Sequence, residues 1–183
     1  LELSSHAIQF NPENPEAHSG KGFALSLSGN DKESIPYFEQ SIKIDQNHLG
    51  GIFGLADSYY FLENYLMAVE LYERGLSIDP TDEYANSFLG LSLSAMGNKE
   101  GLQYTQKAIN SDPDKVDFLF NHALALHNLE MYEEAIKEYK KVLKIQPDSV
   151  DALNNLGVIY SKIGEFKKSE KYLEDALLIN PED

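Results

Sequence analysis

Two short stretches of the sequence have the composition of ligand-binding loops, and each lacks a residue that its chemistry requires. Gly20-Lys21-Gly22 has the spacing of a glycine-rich phosphate loop, but no Ser or Thr follows its Gly-Lys pair. The polar stretch that begins at Asp45 would be a calcium loop only with Glu at its twelfth position, and that position is Ala56. The sequence therefore predicts neither a phosphate loop nor a calcium site.

Histidines and hydroxyl groups could form a metal site or a nucleophile, but their spacing favours neither. His122 and His127 are five residues apart, whereas two ligands on one helix face need a spacing of three or four. The absence of Cys excludes disulfides and thiolate chemistry. No set of Ser, His and Asp is suggested by spacing. We expect a protein that is not an enzyme and that uses no metal or other cofactor.

The charge of the chain narrows the classes of partner. Lys and Arg number 15 against 30 Asp and Glu, which gives a formal net charge of −15. Such a charge repels nucleic acid and anionic membranes at long range. No apolar run approaches the roughly 18 residues that span a bilayer, and the N-terminus has no signal-peptide pattern. We expect no nucleic-acid binding, no membrane insertion and a cytoplasmic location. Because the sequence does not begin with Met, we also expect a fragment of a longer protein.

The elements that position these side chains follow from an internal repeat. Similar dipeptides recur at intervals of 34, 34, 33, 34 and 34 residues: Asn11-Pro12, Asp45-Gln46, Asp79-Pro80, Asp112-Pro113, Gln146-Pro147 and Asn180-Pro181. A fixed period of this size indicates stacked copies of one supersecondary unit. Five repeats follow, at 15–48, 49–82, 83–115, 116–149 and 150–183, and residues 1–14 fit the frame as the second helix of an earlier repeat.

Each repeat has two helical apolar stripes with a turn signal between them, such as Gly29-Asn30 or Glu63-Asn64. The eighth and twentieth positions are small in every repeat: Gly22, Ala56, Gly90, Ala123 and Gly157, then Ser34, Ala68, Gly101, Ala135 and Ser169. The pattern predicts antiparallel helix pairs whose backbones approach closely at the small residues. Asp82, Asp114 and Ser149 lie where they can cap the next helix.

The pattern resembles the tetratricopeptide repeat, whose units carry small residues at positions eight, twenty and twenty-seven and Pro at thirty-two. An aromatic residue near position twenty-four is also typical, and here that position reads Phe38, Tyr72, Thr105, Tyr139 and Leu173. The resemblance covers essentially the whole chain. It implies an all-α fold, a right-handed superhelical α-solenoid of antiparallel helix hairpins, with residues 1–183 forming a single domain.

In this family the first helix of each repeat lines an inner groove. Carried onto this chain, the resemblance implies a peptide-binding groove formed by Phe23, Phe53, Asp57, Tyr60, Tyr84, Phe88, Leu91, Phe120, Asn121, Leu124, His127, Asn154, Asn155 and Val158. Apolar residues at position nine have two interpretations, as groove or as core. Replacing Phe53, Tyr60 and Phe120 together with Ala is expected to weaken ligand binding and to leave the melting temperature nearly unchanged.

The types of groove residue restrict the ligand. None of them is Lys or Arg, whereas family members that serve heat-shock chaperones use such residues to hold a terminal carboxylate. We expect a protein or peptide partner that is apolar or mildly basic rather than an acidic C-terminus. Asn121 and Asn155 occupy position six of consecutive repeats, where an amide can hydrogen-bond an extended backbone.

Two functions are consistent with the resemblance. The first is a non-catalytic scaffold that binds a peptide segment or a partner helix in the groove. The second is a substrate-recruiting arm of a larger enzyme such as a glycosyltransferase. Uncapped ends, with Tyr172, Leu177 and Leu178 as the candidates at one of them, also predict self-association into homo-oligomers.

Overall fold

The computed structural model describes residues 2–181, and every element of secondary structure in that range is a helix. The helices are α1 (Glu2–Phe10), α2 (Pro15–Ser26), α3 (Asp31–Ile44), α4 (Leu49–Phe61), α5 (Tyr65–Ile78), α6 (Glu83–Ala95), α7 (Gly101–Ser111), α8 (Val116–Asn128), α9 (Tyr132–Ile145), α10 (Val150–Lys162) and α11 (Phe166–Ile179). The prediction of an all-α fold is confirmed.

The chain divides into two compact units, Leu1–Ser92 and Leu93–Asp183. In the first unit α1 packs on α2, α2 packs on α3 and α4, α3 packs on α4, and α4 packs on α5. In the second unit α7 packs on α8, α8 on α9, α9 on α10, and α10 on α11. Consecutive helices therefore form hairpins. In the first unit α2 and α4, which are each the first helix of a repeat, are also direct neighbours.

The hairpin turns contain residues in the left-handed backbone region, at the places where the sequence has turn signals. Gly29, Gly97 and Gly164 have φ between 74° and 81°, and Glu63 and Glu130 have φ of 59° and 58°. A residue in this conformation ends an α-helix because it turns the chain away from the helical path. The predicted turns at these positions are confirmed.

The small residue at position eight makes room for a side chain from the second helix of the same hairpin. A Cβ atom added to Gly22 would lie 2.7 Å from the Phe38 ring, and one added to Gly157 would lie 2.6 Å from Leu173. Phe38, which is fully buried, also fills the space over Gly54. Gly22 and Gly157 therefore accommodate the large residue of position twenty-four in their hairpins.

Side chains cap two of the helices at the predicted positions. The Ala85 N–H donates to Asp82 Oδ1 over 2.7 Å at the start of α6, and the Ala152 N–H donates to Ser149 Oγ over 3.4 Å at the start of α10. Asp114 was expected to cap α8, but the residue that precedes this helix is Lys115, which makes no side-chain capping bond. That expectation is wrong because α8 begins one residue later than an Asp114 cap requires.

Candidate functional site

Four of the residues expected in the groove line one cavity in the first unit. Its walls are Phe53 and Asp57 from α4, Tyr72 from α5, Asp82 from the segment before α6, and Tyr84, Ala85 and Phe88 from α6. The cavity has a volume of about 180 Å³. We call it the Asp57 cavity. It combines aromatic rings with two carboxyl groups, and none of the described residues that line it is cationic.

The aromatic wall of the Asp57 cavity is built around Tyr72. Its ring is buried and lies between Phe53 and Phe88, with centroid distances of 6.4 Å and 6.2 Å. Phe53 occupies the space that a Cβ atom at Gly75 would need. Gly75 on α5 therefore allows the Phe53 ring to approach that helix closely, beside Tyr72.

Asp57 is one of the two carboxyl groups that line the cavity. The Tyr72 hydroxyl donates a hydrogen bond to its Oδ1 atom over 2.5 Å. Burial, opposed by the Tyr72 hydrogen bond and assisted by the charges of Asp82 and Asp31, raises the pKa of the Asp57 carboxyl from 3.8 to about 6. Burial and the neighbouring Asp57 also raise the pKa of Tyr72 well above its ordinary value. The hydroxyl thus remains a hydrogen-bond donor at neutral pH.

Tyr60 belongs to a separate aromatic cluster beside the cavity. Its ring lies 5.4 Å from Phe61, 5.7 Å from Tyr65 and 5.3 Å from Phe88, measured between centroids. Burial, assisted by the nearby Tyr65, raises the pKa of Tyr60 to about 12. Tyr60 itself does not line the Asp57 cavity, but it contacts Phe88, which does.

The apolar residues at position nine differ in exposure. Phe23 is 38% exposed and packs edge-on against Phe38, and Val158 is 43% exposed, while Leu124 is half-buried. Leu91 is only 1% exposed. Leu91 therefore belongs to the core, and its assignment to the groove is wrong because its side chain offers almost no surface to a ligand.

The second unit places its expected residues in a more polar setting. Asn155 donates from Nδ2 to the Asp151 carbonyl oxygen over 2.8 Å. The His127 ring lies 6.1 Å from the Tyr132 ring. Burial, with a contribution from the Lys162 charge, lowers the pKa of His127. One N–H group of the Asn155 amide is thus engaged within the protein, and the contact to a ligand backbone that the sequence suggested stays a prediction.

Three further residues that were expected in the groove lie half-buried on α8 and α10 of the second unit. Phe120 meets the Tyr139 ring edge-on at 5.5 Å and packs against the core of this unit. Asn121 and Asn154 are also half-buried.

The packing changes the expectation for the triple replacement by Ala. Phe53 fills the space over Gly75, Tyr60 joins three other rings, and Phe120 packs on the core. Removing these rings would leave cavities, which lower stability. The structure therefore predicts a lower melting temperature, and the variant does not separate binding from folding.

Three residues of the cavity were not assigned to the groove from the sequence: Tyr72, Asp82 and Ala85. Tyr72 had been treated as a packing residue of position twenty-four, and Asp82 as a helix cap. A signal for Tyr72 was available, since a buried tyrosine hydroxyl needs a partner and Asp57 is the one charged residue at position nine. For Asp82 the sequence holds no such signal, because its place in the cavity wall depends on where α4 and α6 lie.

The range of residues 2–181 contains no group of three or more His, Asp or Glu side chains placed to hold a metal ion. None of its helices is both long and apolar enough to cross a membrane.

Comparison with protein families gives a consistent result along the chain. Models of the tetratricopeptide repeat match residues 15–48, 51–82 and 150–183, and a further model described as a TPR repeat matches residues 126–164. Together these matches cover well over half of the sequence, in both compact units.

Two curated proteins illustrate the similarity. The chain is 25% identical over 155 residues to a probable UDP-N-acetylglucosamine--peptide N-acetylglucosaminyltransferase SPINDLY of Hordeum vulgare, which covers 80% of this chain and 16% of that protein. It is 24% identical over 162 residues to a DnaJ homolog subfamily C member 7 homolog of Dictyostelium discoideum, at 79% and 30% coverage. The chain thus spans less than a third of the length of either relative.

The fold also matches a solved structure. YrrB, described as a TPR protein with an unusual peptide-binding site, superposes with a TM-score of 0.66 at 23% identity. The match covers 98% of this chain and 93% of YrrB. Agreement at this level of identity shows a shared helical repeat fold.

Proposed function

Since the chain belongs to the tetratricopeptide repeat family, we propose that it is a non-catalytic interaction module that binds a peptide segment or a partner helix. Binding would use side chains on the first helix of each repeat. We call the set of these side chains within one compact unit its first-helix face. The observation that carries this proposal is the Asp57 cavity, where four of the expected groove residues converge. A partly enclosed cavity with aromatic walls suits one anchoring side chain of a ligand.

The charges of the first-helix faces define the chemistry of the partner. The expected groove residues include Asp57 and no Lys or Arg, and the whole chain carries a net charge of −15. An acidic peptide terminus would meet repulsion and no cationic partner at these positions. We therefore propose an apolar or basic peptide as the ligand.

The test begins with the selection of peptides from a displayed random library on the immobilised chain. Affinities of the selected peptides are then measured by calorimetry for the wild type and for Tyr84→Ala, because Tyr84 is 47% exposed at the cavity. We expect at least a fivefold loss of affinity, since a partly buried aromatic contact contributes about 1 kcal/mol. Leu66→Ala on the second helix α5 is the matched control, because Leu66 is also exposed and apolar.

The outcomes separate the possibilities. Unchanged affinity for Leu66→Ala together with the loss for Tyr84→Ala supports binding on the first-helix face. Equal losses in both variants place the ligand elsewhere on the surface and contradict the proposal. Failure of the library to yield any binding peptide also counts against it.

A second candidate function is the recruitment of substrates to an enzyme. The similarity to a peptide N-acetylglucosaminyltransferase over 80% of this chain favours it. In that case the repeats would hold a peptide for a catalytic domain encoded in the same gene. Sequencing of the complete gene is the test: a glycosyltransferase domain supports this candidate, and a gene made only of repeats opposes it.

Self-association is a further prediction about partners. Leu177 and Leu178 on α11 are exposed, whereas Tyr172 of the same helix stacks on Tyr160. Exposed aliphatic side chains of this kind favour contacts between copies of a chain. Light scattering at two protein concentrations measures whether the mass increases.

A further inference from the structure

The geometry of the Asp57 cavity points to a specific anchor on the ligand. We propose that this cavity binds the cationic head of a lysine or arginine side chain, held between aromatic rings and the Asp57 carboxylate. The inference rests on the proposed function, because it names the residue of the bound peptide that enters the first-helix face of the first unit. Three features of the cavity support it: its rings, its carboxyl groups and its size.

The rings supply an electron-rich surface for a cation. Phe53, Tyr72 and Phe88 follow one another at centroid distances of 6.4 Å and 6.2 Å, and Tyr84 lies at the exposed side. A cation within about 6 Å of a ring centroid is attracted by the negative face of the ring. A cavity of about 180 Å³ holds roughly six water volumes, taking about 30 Å³ for each water. That space suits one ammonium or guanidinium group with its adjoining methylenes.

The carboxyl groups supply the opposite charge. Asp57 accepts the hydrogen bond of Tyr72, and within residues 2–181 it has no ion-pair partner. An ionised carboxylate among aromatic rings is unfavourable unless a positive charge compensates it. Asp82 adds a second carboxyl group, which the Ala85 N–H holds in place at the start of α6. A ligand cation would complete this arrangement.

The position of Asp57 in the repeat indicates that its charge is not needed for packing. The other four repeats have Phe23, Leu91, Leu124 and Val158 at the same position. An apolar residue at this position therefore suffices for packing of the helix hairpin. An acidic residue there buries less apolar surface. Two carboxyl groups are too few for a metal site, and the described residues hold no third ligand nearby. The same two groups oppose an anionic ligand.

The experiment uses small probes in place of a peptide. N-acetyl-lysine methylamide and N-acetyl-arginine methylamide are titrated into the ¹⁵N-labelled chain, and amide shifts are followed by NMR. N-acetyl-norleucine methylamide is the uncharged control, because it keeps the aliphatic chain of lysine and lacks the ammonium group. We expect both cationic probes to shift the amides of residues 53–57, 72 and 82–88, with affinity about tenfold higher than that of the norleucine probe.

Variants identify the groups that hold the cation. Asp57→Asn should weaken the lysine probe about tenfold while the spectrum outside the cavity stays unchanged. Asp117→Asn removes one exposed charge from α8 in the second unit and is the matched control for net charge. We expect no change in affinity for it. Equal weakening in both variants would show a general charge effect and overturn the proposal.

The pH dependence gives an independent readout. Binding of the lysine probe should strengthen between pH 5 and pH 7, because the ligand needs Asp57 ionised and its pKa lies at about 6. The other titratable groups that act on Asp57 are Tyr72 on α5, Asp82 before α6 and Asp31 on α3. Probe affinity that is flat over this range would contradict a role for the Asp57 carboxylate.

Failure of this inference is distinguishable from failure of the proposed function. If the norleucine probe binds as well as the lysine probe, the anchor is apolar, and the inference is wrong while peptide binding stands. If no probe binds but displayed peptides are selected, the cavity does not hold the anchor, and the inference is again wrong. If the lysine probe binds and no peptide is selected, the cavity recognises free cations and the interaction function is wrong.

Discussion

The first-helix faces of the two units each contain a half-buried titratable group, but the two groups have opposite chemistry. In the first unit Asp57 lies among aromatic rings, and burial raises its pKa to about 6. In the second unit His127 lies beside Asn155 and Tyr132, and burial lowers its pKa. Each shift favours the neutral form, as desolvation requires. At pH 7 the first face therefore carries a negative charge, and the second face is neutral at His127.

This difference shows how one repeat frame produces two kinds of surface. The helices are alike in length and pairing, and the contrast comes from single residues at positions nine and twelve. The predictions below test the contrast, beginning with the change of largest expected effect.

Removal of the Tyr72 ring should destabilise the first unit most. Tyr72→Ala deletes a buried ring between Phe53 and Phe88 and the hydrogen-bond donor to Asp57. We expect the free energy of unfolding to fall by about 3–5 kcal/mol, measured by urea denaturation with circular dichroism. Tyr84→Ala is the control, and a loss below about 1 kcal/mol is expected because about half of this side chain is already exposed. Similar losses in the two variants would contradict the central role of Tyr72.

Neutralisation of Asp57 should stabilise the protein at high pH. The folded pKa of about 6 is above the ordinary value of 3.8, so the folded state binds a proton more tightly than the unfolded state does. The wild type therefore loses stability as the pH rises from about 4 through 6. Asp57→Asn lacks this loss, and we expect it to be more stable by about 2 kcal/mol at pH 8 and no more stable at pH 3.5. Denaturation at both pH values measures the difference, and a gain that is equal at the two would refute the assignment.

The helix caps of the two units should differ in strength. Asp82 caps α6 over 2.7 Å, whereas Ser149 caps α10 over 3.4 Å. Replacement with Ala should cost about 1 kcal/mol at Asp82 and about 0.5 kcal/mol at Ser149, because the shorter bond is the stronger one. Asp82→Ser restores a capping oxygen and should recover most of the loss in urea denaturation. No recovery would show that Asp82 stabilises the fold by another contact.

The smallest effect is expected at His127, with a pH slope opposite to that of Asp57. The folded pKa of His127 is lowered, so the contribution of this group to stability is present above about pH 6.5 and is lost as the pH falls below it. An NMR titration of the imidazole should give a midpoint below 6.5. His127→Gln should reduce this loss of stability at acidic pH. The resulting change in the free energy of unfolding should be smaller than the change that Asp57→Asn causes at alkaline pH. A midpoint above 6.5 would show that Lys162 and burial do not control the group.

Several features of the fold could be predicted from local sequence alone. Gly29 and Glu63 mark turns because a residue in the left-handed region ends a helix without help from distant contacts. Asp82 and Ser149 cap the following helices because the donor lies three residues away along the chain. The same argument is wrong for Asp114, because α8 begins one residue later than a cap at Asp114 requires. The spacing of the repeat could not show this displacement.

The candidate site was only partly predictable. Phe53, Asp57, Tyr84 and Phe88 were expected to share a surface, and they do line one cavity. The expectation for Leu91 failed, although Leu91 occupies the same repeat position as the partly exposed Phe23. Helical periodicity gives the direction of a side chain relative to its own helix. It does not give the distance to the next helix, which determines whether that side chain is covered.

By itself, the sequence determined that this protein is a set of helix pairs with a 34-residue period, that it lacks Cys, and that it carries an excess of negative charge. These properties depend on residue type and on spacing along one chain. Only the tertiary structure decided that Gly75 makes room for Phe53 and that Tyr72 on α5 meets Asp57 on α4. Contacts of this kind depend on the separation of neighbouring helices, because a shift of a few ångströms opens or closes a cavity of about 180 Å³.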